Sequence, residues 1–70
     1  MPVTKTSATK ANDAAFESAY QKLFETLVNN LTTANDEARK NTAVERAGAG
    51  LRNLRDAHDR MEAIINTQFP

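Results

Sequence analysis

The chain contains no cysteine and no tryptophan, and only one histidine, two glycines and two prolines among 70 residues. Without cysteine no disulfide can staple it, and a lone histidine rules out a conventional zinc cluster. Charge of one sign is also lacking, with nine Lys and Arg set against nine Asp and Glu. Phosphate binding wants a basic surplus, so this balance argues against a nucleic-acid partner and, more weakly, against adsorption to an anionic membrane. No apolar run approaches the ~18–20 residues that span a bilayer. Met1 to Asp13 has no hydrophobic segment of the kind a cleavable export signal needs. Location is therefore left open between the cytoplasm and export without such a signal. Ser7 and Ser18 are the only serines, and neither sits in a nucleophile motif. No enzyme activity, cofactor or small-molecule substrate is expected.

Large apolar residues are also in short supply. Leu, Ile, Val and Phe number 13, just under a fifth of the chain, near the level at which a sequence struggles to fold alone. A single domain of this length draws only ~3–5 kcal/mol from its interior and commonly needs a staple. With disulfides and zinc set aside, the remaining common remedy is association with a second copy or with a partner protein.

The pattern of what is present is helical. Val44, Ala47, Leu51, Leu54, His58, Met61 and Ile65 follow alternating steps of three and four, which places them along one side of an α-helix. Ile64 and Phe69 extend the strip at its end. Phe16, Tyr20, Leu23, Leu27 and Leu31 form a second strip, widened by Phe24 and Val28. Between them, Asn29 to Asn35 is rich in Asn and Thr, which compete for local backbone groups and favour a connection. Thr33 with Asp36 three residues on has the outline of a capping box. A connection this short makes the two helices antiparallel neighbours. Pairs four apart, such as Asp36 with Lys40, Arg52 with Asp56, Arg55 with Asp59 and Asp56 with Arg60, mark a wetted surface.

The expected fold is thus all-α: an antiparallel helical hairpin over residues 13–70. Its first helix runs from Asp13 to about Thr32, capped by Asn12 or Asp13, and its second, nearly twice as long, from Asp36 to about Thr67. Met1 to Asn12 holds only Val3 as a sizeable apolar group and is expected as a flexible tail. Gly48 and Gly50 each cost roughly 1 kcal/mol inside a helix relative to Ala. Either the second helix bends or breaks there, or the small faces of Ala43, Ala47 and Gly50 let another helix come close. Because the three-four spacing keeps its phase across the glycines, a continuous helix is the preferred reading. Length mismatch would leave part of the second strip uncovered. The expected contact surface is Phe16, Tyr20, Leu23, Leu27, Leu31, Val44, Ala47, Leu51, Leu54, His58, Met61, Ile64, Ile65 and Phe69.

Other constellations are weaker. His58 lies in the strip, where its imidazole titrates near neutrality, and the plain expectation is a bond to water or to a carboxylate. Asp56, Asp59 and Glu62 lack the spacing of a calcium loop. Gly48-Ala49-Gly50 has neither the preceding strand nor the following Lys-Ser/Thr of a phosphate loop. The arginines are interleaved with acids and lack a stacking aromatic.

The ending Met61-Glu62-Ala63-Ile64-Ile65-Asn66-Thr67-Gln68-Phe69-Pro70, behind a Ser/Thr-rich start and a helical pair, resembles the type III secretion needle subunits. Small helical-hairpin chaperones of the same apparatus are about as similar in layout. The paired aliphatics followed by Gln and Phe carry the needle resemblance, which covers the last ten residues specifically and the rest in outline. The proline-free connection and the aromatics in the first helix depart from that family. What the resemblance implies is a non-enzymatic bacterial hairpin that polymerises into a hollow tube. The other reading of the same pattern is a small regulatory or inhibitory protein, of phage, toxin-control or chaperone type, docking on a larger protein target.

Overall fold

Thr4 opens the first helix. Its hydroxyl accepts from the Ser7 backbone N–H at 3.1 Å, while the Thr4 N–H donates to the Ser7 hydroxyl at 2.9 Å. This reciprocal arrangement is a capping box with serine in place of the usual Glu or Gln. From there α1 runs Lys5–Thr33, and α2 runs Glu37–Gln68. The computed structural model describes residues 3–70, and among these the two helices are the only regular elements. They pack side by side as an antiparallel hairpin.

Three sequence expectations are corrected. First, most of the expected tail is helix: Lys5 to Asn12 belongs to α1, and only Met1 and Pro2 of that segment lie outside the described residues. Ala8, Ala11, Ala14 and Ala15 explain this, since alanine is the strongest helix former and need not bury bulk to stay helical. Second, neither Asn12 nor Asp13 caps α1; both lie inside it and reach across to α2. Third, the capping box at Thr33 is not formed. The Thr33 hydroxyl turns back to donate to the Asn29 carbonyl at 3.0 Å, as Thr32 does to Val28 at 2.8 Å. Helix α1 thereby continues through the Asn/Thr segment, satisfying the hydroxyls on its own carbonyls. The cap of α2 is Asp36, accepting from the Arg39 N–H at 2.8 Å.

The helices are therefore nearly equal, at 29 and 32 residues, and the anticipated length mismatch is absent. Helix α2 passes unbroken through both glycines, with no glycine at positive φ among the described residues. Gly50 has a packing reason. A Cβ built there would lie 2.8 Å from Leu23 Cδ1, so the α1 leucine seats against bare α2 backbone. Ala43 is 6 % exposed and Ile65 5 % exposed, so small residues and one isoleucine mark the closest line of approach. By contrast, a Cβ at Gly48 would meet only the Arg52 guanidinium at 3.7 Å. Of the four expected charge pairs, Asp56 with Arg60 closes at 2.9 Å among the described residues.

The two glycines should respond differently to the same substitution. Gly48→Ala should stabilise the hairpin by about 1 kcal/mol, the ordinary helix gain. Gly50→Ala should gain distinctly less or lose stability, because Leu23 must move. Urea unfolding of both variants checks this, and equal gains would show that Leu23 does not seat on Gly50.

Candidate functional site

A two-helix hairpin is one helix thick, and this one extends 51 × 20 × 10 Å. Side chains on the line of contact are shielded, while those on either flank are not. Along the contact line lie Asn12, Phe16, Ala19, Leu23 and Leu27 of α1, with Ala43, Ala47, Leu51, Leu54, His58 and Ile65 of α2. All are buried or half-buried. Leu31 and Phe69 are half-buried at the two ends. The remaining members of the expected contact surface do not join them: Tyr20, Val44, Met61 and Ile64 are exposed. Phe24, at 56 %, is more exposed than any of these.

The exposed residues fall into two grooves. Tyr20, Leu23, Phe24 and Leu27 with Val44, Ala47, Gly48 and Leu51 line the first, toward the connection. Ala8, Ala11, Asn12 and Ala15 with Met61, Ile64, Ile65 and Phe69 line the second, toward the free ends of the helices. An α-helix turns 100° per residue, five full turns in 18. On α1, Tyr20 and Phe24 lie to one side of the Leu23 direction, whereas Ala11 and Ala15 lie to the other. On α2, Val44 and Leu51 fall to one side of Leu54, and Met61 and Ile64 to the other. The two grooves therefore open on opposite faces of the slab.

At the free end of the first groove's face, His58 Nε2 lies 2.7 Å from Asp13 Oδ1, and Nδ1 lies 3.5 Å from Asp59 Oδ1. The imidazole meets the Phe16 ring edge-on with centroids 5.3 Å apart, and the Asn12 amide donates to the His58 carbonyl at 3.0 Å. Two consecutive α1 residues thus tie one α2 residue in place. Glu62 brings a third ligand-type group within 4.8 Å of Asp13 and His58. Two ligands of a tetrahedral zinc ion stand about 3.3 Å apart, from metal–ligand lengths near 2.0 Å. The 2.7 Å spacing is instead that of a charge-assisted hydrogen bond. Sequence spacing could not pair His58 with Asp13, because the partners are 45 residues apart and Asp13 reads as an N-cap.

The Asp13 carboxylate holds the imidazolium form and raises the His58 pKa above the usual value near 6.5; partial burial works against this, and Asp59 and Glu62 add to it. A raised folded-state pKa stabilises the fold below the unfolded value, and that stabilisation is lost as pH rises through the folded value. Thermal unfolding should accordingly show a higher midpoint at pH 5.5 than at pH 8.5, with Asp13→Asn flattening most of the difference. A pH dependence unchanged in Asp13→Asn would show that the pair does not couple the helices.

No protein-family model, curated protein or solved structure matches the chain. No helix among the described residues is long and apolar enough to cross a membrane.

Proposed function

We propose that this protein works by contact: it is a small helical subunit whose exposed apolar flanks are covered by further copies of itself. Its surface carries the reading. The chain exposes 5589 Å², whereas a folded monomer of 7.7 kDa exposes about 4,300 Å² by the usual scaling with mass. The excess, roughly 1,250 Å², exceeds the ~800 Å² that each partner contributes to a standard protein–protein interface. The radius of gyration, 16.1 Å, likewise exceeds the ~11 Å of a compact domain of this length. Exposed aromatic and aliphatic groups on both faces supply the apolar anchors that such contacts use. This reading agrees with the resemblance of Met61 to Pro70 to needle subunits, and a secretion-needle-like subunit is its most specific form.

Light scattering over a protein concentration series tests it. The weight-average mass should climb above 7.7 kDa as concentration rises through the micromolar range. A mass that stays at one chain throughout would contradict self-association and favour docking on a different protein.

A further inference from the structure

The two faces differ in charge as well as in where their apolar groove lies. Val44 and Glu62 are 18 residues apart, five whole turns, so they share one flank of α2. Tyr20 and Asp13 share the matching flank of α1, two turns apart. This face therefore has its apolar groove near the connection and, near the free ends, the acids Asp13, Glu17, Asp59 and Glu62, which outnumber the cations Lys10 and Arg55 and the His58 imidazole held by Asp13. Glu62 is half-buried. On the opposite face the order is reversed. Arg46 and Ile64 are 18 residues apart, as are Arg39 and Ala57. The groove of Met61 and Ile64 thus lies near the free ends, while Arg39 and Arg46 border a polar hollow with Asn30, Thr33 and Thr42 near the connection. Lys22 joins them on α1, and the nearby acids are Glu25 and Asp36, the latter 4.0 Å from the Arg39 guanidinium, so this end keeps a surplus of one positive charge.

Laid in the same direction, two such slabs would set apolar groove on charge. Turned end for end, the aromatic groove of one copy meets the Met61–Ile64 groove of the next, and the acidic end meets the Arg39–Arg46 end. We propose that this chain stacks on itself in that manner, first face on second face, each copy reversed relative to the last. The proposal rests on the self-association argued above and specifies its geometry. It joins two different surfaces, and so is heterologous. The half-turn is combined with a step of about one helix layer, ~8–10 Å. Such an operation leaves a free face on each end and does not close, which makes the assembly open-ended.

Two blocked variants test the geometry. Phe24→Glu spoils the first face and Ile64→Glu the second. Both positions are more than half exposed, so the hairpin's own contact line is untouched. Each variant alone should remain monomeric in sedimentation velocity at concentrations where the unmodified chain associates. An equimolar mixture should give a one-to-one dimer and nothing larger, since one good pair of faces remains. Circular dichroism accompanies each run; if either variant loses helix alone, its recovery on mixing reads the same way. Association of Phe24→Glu alone, or no dimer on mixing, would overturn the stacking while leaving self-association standing. A monomeric unmodified chain would overturn both.

Discussion

Two cylinders laid side by side touch along a single line, and that geometry governs this molecule. Each helix can present only a narrow stripe to the other, so a residue 80–100° away from the stripe stays in water however well the pair fits. The chain places its small residues and Ile65 on the line, with Gly50 accepting Leu23 against bare backbone. Close approach is thereby achieved at the expense of volume: only Ala43 and Ile65 are buried among the described residues. The larger groups, Tyr20, Phe24, Val44, Met61 and Ile64, stand on the flanks. A third layer would be needed to cover them, and a single copy of the chain does not supply one.

The hairpin, the antiparallel order and the unbroken second helix were legible from three-four spacing, the short connection and the preserved phase across Gly48 and Gly50. The start of α1 was not, because Lys5 to Asn12 has no large apolar group to mark a helix and is held helical by alanine instead. Thr4 with Ser7 was available as a capping signal, though with serine in a position where Glu or Gln is the familiar partner. The Thr32–Thr33 segment misled for a related reason. Threonine hydroxyls end a helix only when they bind outside it, and here they bind carbonyls one turn back.

The contact surface was legible as a set of residues but not as a division. Periodicity places Leu23 and Phe24 on one broad strip, and cannot say that the first faces α2 while the second faces water. That partition depends on the rotation of each helix about its own axis, which is set by which small residues the partner provides. Nor could spacing alone pair Asp13 with His58, since the two are 45 residues apart and Asp13 reads as a cap at the start of α1 rather than as a residue inside it that faces α2. Once the division is known, the two flanks become separate surfaces with opposite polarity of charge and grease along the slab. This is why a view of the strip as one greasy ridge becomes a view of two unlike faces.

The central claim is that the folded hairpin is stabilised in part by neighbouring copies. A species that binds its own folded form raises the unfolding midpoint by mass action. The most direct test is the thermal unfolding midpoint of the unmodified chain across a hundredfold range of protein concentration, followed by circular dichroism. The account predicts a midpoint that rises by several degrees with concentration; a midpoint that does not move would contradict it.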